Sequence, residues 1–217
     1  MDKIIFLIPA FNEEKNLKKV ILQFKKYGSI FVINDGSTDK TEEIAKKNSK
    51  YYLKNFRNRG YDYSLQRGLK FISKNLNFFE HVITIDADGQ HKLNQLTKII
   101  KQLKRYDVVI GNRNFYNRPV EKKICDISKK KFKIADPLSG MKGYRVKILK
   151  KNLPLIKKKI NYYGMFFLEW INNISSINVN ITVNKKNKQS SMGENKEIEA
   201  QFLNNFLKIL KVRHKKS

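Results

Sequence analysis

Short apolar runs rich in β-branched residues alternate with helix-period stretches through the first half of this 217-residue chain, and few architectures accommodate that order. Ile4–Ile8 reads as a strand, followed by Leu17, Val20, Ile21 and Phe24 at helical spacing. Ile30–Ile33 repeats the strand signal and Thr38–Lys47 the helical one. Tyr51–Leu53, His81–Ile85 and Val108–Ile110 are further strands. Between them, Leu65, Leu69 and Ile72, then Leu93, Leu96, Ile99, Ile100 and Leu103, each mark one apolar helix face. The alternation predicts an α/β fold with a mostly parallel sheet covered on both faces. In such sheets ligands bind in the loops leaving the carboxyl ends of the strands.

The second half loses that rhythm. Glu121–Lys133 is lysine-rich and reads as a helix or a loop, Gly164–Ile174 as a buried helix, and Ile177–Val183 as a strand. Asn184–Asn195 is polar and reads as flexible. Ile198, Phe202, Leu203, Phe206, Leu207, Ile209 and Leu210 then form an apolar stripe ending in Arg213-His214-Lys215-Lys216. An apolar face with cationic flanks suits either an interfacial helix on an anionic membrane or a helix packed on its own core. No internal repeat is present.

Composition excludes several classes. The apolar run from Ile4 to Phe11 is far short of the ~20 residues of a membrane span. The single cysteine, Cys125, forms no internal bridge. A soluble or peripheral intracellular protein is expected. The net charge of +27 favours polyanions, although solvated surface lysine accounts for part of it. Its distribution is uneven: from Arg113 to Gly193 there are 19 Lys/Arg against four acids, so basic patch and acidic site occupy different stretches.

Three acidic clusters fall at predicted strand ends: Pro9–Glu14, Asn34–Asp39 and Asp86–His91. Helix capping by Asn12 or Ser37 and a turn at Asp35-Gly36 account for either of the first two alone. The third is harder to assign to local structure. Asp86 and Asp88, with Gln90 close behind, gather hard oxygen ligands suited to Mg²⁺ or Mn²⁺ beside a phosphate.

With Asn58-Arg59-Gly60, Gly111-Asn112-Arg113 and Asp136-Pro137-Leu138-Ser139-Gly140, these clusters stand in the order and approximate spacing of family 2 glycosyltransferases. Each motif is weak alone; six in order are specific, and the resemblance spans roughly residues 3–185. The subgroup it most resembles is that of the dolichyl- and polyprenyl-phosphate mannosyltransferases. The resemblance implies a GT-A fold over residues 1–195, with a nucleotide-sugar half (about 1–112) and an acceptor half (about 113–195), followed by an amphipathic helix and basic tail (196–217). It implies a metal-dependent inverting transferase moving a sugar from a UDP- or GDP-linked donor to a polyprenyl phosphate or another cell-envelope glycan or lipid. By the same resemblance Pro9, Phe11, Glu13 and Asp35 line the nucleoside pocket, with Asp86 and Ala87 near the nucleotide. Asp86, Asp88 and Gln90 hold Mg²⁺ or Mn²⁺, and Arg113 faces phosphate groups of donor or acceptor. Ser139 lies at the acceptor, and Asp136 is the candidate base for a hydroxyl acceptor. A cytoplasmic location, peripheral on an anionic membrane face, follows from such an acceptor.

The chain departs from the family at Asp62, where a small residue is common, and is about a dozen residues shorter between Arg113 and Asp136. Two other readings compete: a sugar-1-phosphate nucleotidyltransferase and a nucleic-acid-binding protein using the +27 charge. The first lacks its glycine- and arginine-rich loop after the opening strand; the second lacks zinc spacing or an RNA-binding aromatic motif. Cys125 has no partner for nucleophilic chemistry, His81 and His214 are isolated, and His91 is as compatible with a structural role as with the metal motif. Phe166, Phe167 and Trp170 read as core.

Overall fold

The computed structural model describes residues 3–116, 118–155, 163–183 and 196–214; Asn184–Asn195 and the terminal Lys215-Lys216 lie outside them. Seven strands form one sheet: β1 (Ile4–Ala10), β2 (Ser29–Asn34), β3 (Tyr51–Lys54), β4 (His81–Thr84), β5 (Val108–Arg113), β6 (Lys142–Arg145) and β7 (Ser176–Ile181). Their order is β3-β2-β1-β4-β6-β5-β7. All neighbours run parallel except β6, which is antiparallel to both β4 and β5.

Side-chain alternation along the strands splits the core into two layers. From β1, Phe6 and Ile8 point to one face, where α1 (Leu17–Phe24), α2 (Thr41–Asn48) and α4 (Leu96–Leu103) bury Val20, Ala45 and Ile99. Ile5 and Leu7 point to the other, covered by α3 (Tyr61–Asn75), α5 (Pro119–Phe132), α6 (Val146–Asn152) and α7 (Lys196–His214). The fold is a mixed α/β sandwich, and the expected mostly parallel sheet is present.

Several local expectations need correction. Gly164–Ile174 is not one helix but two 3₁₀ turns, Phe166–Glu169 and Ile171–Asn173. Met165 to Leu168 are all buried, so the run has no solvent face to set an α-helical period. The second helix begins at Thr41 rather than Thr38, because the Thr38 amide donates to Asn12 Oδ1 and the Thr41 amide to Asp39 Oδ1. Glu121–Lys133 is helical up to Phe132, started by Pro119 in the first turn of α5 and ended by Lys133 in a left-handed conformation. β6 and α6 carried no signal: Lys142-Gly143-Tyr144-Arg145 has neither alternation nor β-branching, yet it occupies a central position.

The C-terminal stripe belongs to the core. Phe202, Phe206 and Ile209 are buried, Phe206 meets Phe132 of α5 edge-on, and Phe202 stacks on Tyr163 at 3.7 Å. Among the described side chains of the stripe, Leu207 is the exposed one. No helix among the described residues is long and apolar enough to cross a membrane.

Candidate active site

The loops after β1 and β2 are fastened to one another. The Asn12 amide donates to Ser37 Oγ (3.0 Å), and the Glu13 amide to Thr41 Oγ1 (2.8 Å). Asn12 takes a left-handed φ of 53° to turn the chain out of β1. Asp35, at the end of β2, accepts from Asn55 Nδ2 (2.6 Å) and from the amides of Arg59 (2.9 Å) and Gly60 (2.8 Å). Gly60 needs its φ of 87° to offer that amide. One buried carboxylate thereby brings the Asn58-Arg59-Gly60 turn to the end of β2.

Pro9, Phe11, Glu13, Asp35, Asp86, Ala87 and Asp88 line one cavity of about 410 Å³, together with Asn58 and Tyr61. A larger cleft of about 720 Å³ opens at the other pole of the sheet, between His81 and Arg145. Its acid, Glu80, is paired with Lys3, so it holds no carboxylate pair for phosphate chemistry. The smaller cavity has both carboxylates and lies at the carboxyl ends of the parallel strands.

Asp86 is held from several sides. His91 Nε2 lies 3.2 Å from Oδ2, the buried Tyr61 phenol is close enough to feel the carboxylate's charge, and Gly140 packs so closely that any Cβ there would collide with it. Burial pushes the Asp86 carboxyl up, but the hydrogen bond and charge of His91, with the charges of Lys142 and Arg113, bring it below the ordinary aspartate value. Burial and the Asp86 charge push the Tyr61 phenol well up, so it remains a donor. Asp88 Oδ1 accepts from the Gln90 amide (3.0 Å), and Gln90 Nε2 is buried with no hydrogen-bond partner. Two carboxylates on one cavity, Asp86 and Asp88, supply hard oxygen donors that fit Mg²⁺ or Mn²⁺, with Gln90 next to Asp88.

A second cluster lies in the half expected to take the acceptor. Asp136 has no exposed surface and clamps Arg113: Oδ2 accepts from Nε (2.7 Å) and the Arg113 amide (3.1 Å), and Oδ1 from Nη2 (3.1 Å). Arg113 Nη2 is also 3.2 Å from Glu121 Oε2, and Glu121 Oε1 is 3.5 Å from Arg118 Nη1. Burial opposes the charge on Arg113, but Asp136 and Glu121 more than restore it. Cys125 Sγ adds a 3.6 Å contact to Asp136 Oδ1; burial and the Asp136 charge push its thiol far up, so it is no nucleophile. These surroundings do not suit the base expected of Asp136: its oxygens are spent on a guanidinium and an amide, and no acceptor reaches them. Ser139, expected at the acceptor, is also fully buried; its carbonyl accepts from Lys142 Nζ. Neither Arg113 nor Gln90 lines the cavity that holds Asp86 and Asp88.

Lys142 carried no signal in the sequence. It is 2% exposed, lies over the Phe167 ring (5.5 Å), and burial draws its ammonium down to about 8 against the charges of Asp136 and Asp86. The departure at Asp62 also has a reason: its carboxylate accepts from the amides of Tyr163 and Gly164, fastening α3 to the chain 101 and 102 residues on.

The sequence pattern of glycosyl transferase family 2 matches residues 5–153. The chain belongs to family 2. It is a glycosyltransferase of GT-A fold. Protein MJ1222 of Methanocaldococcus jannaschii is 34% identical over 166 residues, which are 69% of this chain and 68% of that one. The UDP-N-acetylglucosamine–dolichyl-phosphate N-acetylglucosaminyltransferase of Methanococcus voltae is 30% identical over 186 residues, covering 69% of this chain and 72% of the relative. Glucosyl-3-phosphoglycerate synthase of Mycobacterium tuberculosis superposes with a TM-score of 0.70 at 18% identity over 95% of this chain and 79% of its own; that structure holds Mn²⁺, UDP and glucosyl-3-phosphoglycerate. In this glycosyltransferase the residues missed by sequence reading are Tyr61 and Lys142, buried beside the acids, and Glu121, which faces Arg113 and Arg118. His91 is the one with a local signal, standing directly after Gln90.

Proposed function

We propose that this glycosyltransferase moves a sugar from a nucleoside-diphosphate donor to a polyprenyl phosphate, with inversion, using a divalent cation held by Asp86, Asp88 and Gln90. The observation that carries the reading is that Asp86 and Asp88 line the same cavity as Pro9, Phe11, Glu13 and Asp35. The loops after β1 and β2 would take the nucleoside, and Asp86 and Asp88 would stand at the diphosphate. The cation supplies charge stabilisation for the leaving diphosphate. His91, Tyr61 and Gly140 keep the Asp86 carboxylate from turning, so it meets the donor in one orientation. An acceptor oxygen attacks the anomeric carbon as the bond to the diphosphate breaks. A phosphate acceptor brings its own negative oxygen and needs no base, in keeping with the sealed environment of Asp136. The dolichyl-phosphate activity of the Methanococcus voltae relative supports the same acceptor class. The lysine excess favours work at an anionic membrane surface, reached through exposed side chains rather than the stripe of α7.

The test is release of nucleoside diphosphate from UDP- and GDP-sugars by the purified chain, with Mn²⁺ and a short-chain prenyl monophosphate. Release should require acceptor and metal, stop reversibly with EDTA, and vanish in Asp88→Asn. Undiminished release in excess chelator would remove the metal from the mechanism; equal release with a prenyl alcohol would remove the phosphate acceptor.

A further inference from the structure

Glu121 is an odd residue to find in a phosphate-binding half. It lies in the first turn of α5 with 6% of its side chain exposed, between two guanidiniums that are themselves almost covered: Arg113 (14%) and Arg118 (9%). Each arginine takes a different oxygen of the same carboxylate, at 3.2 and 3.5 Å. Two forks converging on one small anion is the arrangement that receives two oxygens of a phosphate. The three side chains are not bound equally. Asp136 secures Arg113 through three hydrogen bonds that do not involve Glu121. Glu121 Oε2, by contrast, is buried without a well-formed hydrogen bond, and its contact with Arg113 is one of charge alone. α5 does not need the carboxylate to dock, since Val120, Ile124 and Phe132 already pack on the core. A buried charged triad is seldom retained for stability alone.

The cluster is connected to the donor cavity. Asp136, which secures Arg113, begins the turn whose Gly140 abuts Asp86, so Arg113 and the Asp86 carboxylate meet the same short segment.

We propose that Glu121 is a built-in occupant of the acceptor's anion site, a specificity-determining residue that a phosphate must displace from Arg113 and Arg118 in order to bind. This rests on the phosphate-acceptor reading above. A hydroxyl acceptor carries no charge with which to compete for the guanidiniums, so the exchange selects for phosphorylated acceptors. It also lowers their affinity by the share of molecules in which Glu121 holds the arginines.

The experiment is a calorimetric titration of the full chain and of Glu121→Gln with farnesyl phosphate, inorganic phosphate and farnesol, with UDP and Mn²⁺ as a donor-side control. Neutralising the occupant should tighten monophosphate binding roughly tenfold or more, since a like charge is removed from within a few ångströms of the ligand. UDP binding should stay the same. A merely structural Glu121 gives the opposite result: a folded variant of lower melting temperature with unchanged or weaker phosphate binding, which overturns the proposal. Where Glu121→Gln does not fold, Glu121→Asp decides. It keeps the charge but is one methylene too short to span both arginines, so about a threefold gain is expected, and no gain overturns the exchange. If inorganic phosphate gains affinity in the variant while farnesyl phosphate binds neither protein, the exchange stands and the prenyl acceptor falls.

Discussion

Replacing Asp136 by Asn separates an anchor from a base. The carboxylate is fully buried and makes three hydrogen bonds to Arg113, two of them to the guanidinium. Removing one partner of a buried ion pair costs ~3–5 kcal/mol, because the remaining charge is left uncompensated. Here Glu121 still stands 3.2 Å from Arg113, and an asparagine oxygen still accepts one bond, so the loss should fall near the lower bound, about 3 kcal/mol. For a chain of this size each kcal/mol moves the melting temperature by ~2–4 °C, which gives a drop of roughly 6–12 °C. Thermal unfolding followed by circular dichroism measures it directly, with donor affinity and acceptor KM taken on the same preparation. An anchor should lower the melting temperature and raise acceptor KM, because Arg113 drifts. A general base should lower turnover by ~10²–10⁴ with melting temperature and KM unchanged. That second outcome would refute the assignment made from the geometry.

Four further substitutions have defined outcomes. Gly140→Ala places a methyl on the Asp86 carboxylate, so metal-dependent nucleotide binding should be lost in a protein that still folds; wild-type binding by calorimetry would show the turn to be slack. Phe206→Ala should cost ~3–5 kcal/mol in urea unfolding as a buried core truncation, and Leu207→Ala under about 1 kcal/mol at a half-exposed position; equal small losses would return the stripe to the surface. Lys142 titrates near 8 in the folded protein against 10.5 when unfolded, so between those values the unfolded chain binds the extra proton and this residue makes stability rise with pH. Lys142→Met should lack that rise when urea midpoints are compared at pH 7.5 and 10; parallel profiles would mean that the ammonium is not desolvated.

The sheet's parallel half was legible because each of its strands is a run of apolar or β-branched residues followed by a helix with a single apolar face. The cavity proposed for the donor was legible for the same reason: its acids sit immediately after those strands, where sequence adjacency and spatial adjacency coincide. What stayed hidden depends on long-range pairing. Lys142-Gly143-Tyr144-Arg145 is a central strand only because β4 and β5 each leave it an edge. Glu121 and Arg113 are eight positions apart, yet meet only because α5 turns back over the end of β5. The stripe of α7 was visible, but its destination was not, since an amphipathic face has the same periodicity against a core as against a lipid surface.

The position of β6 also fixes the order in which the fold can close. β5 does not pair with β4; it joins the sheet only through β6, which is made after it. As the chain leaves the ribosome, β3, β2, β1 and β4 can assemble, but the outer edge of β4 stays unpaired until Arg145 has emerged. At about 5–20 residues per second the stretch from Thr84 to Arg145 takes roughly 3–12 s. Throughout that interval a nascent four-stranded sheet displays an apolar edge open to pairing with other chains.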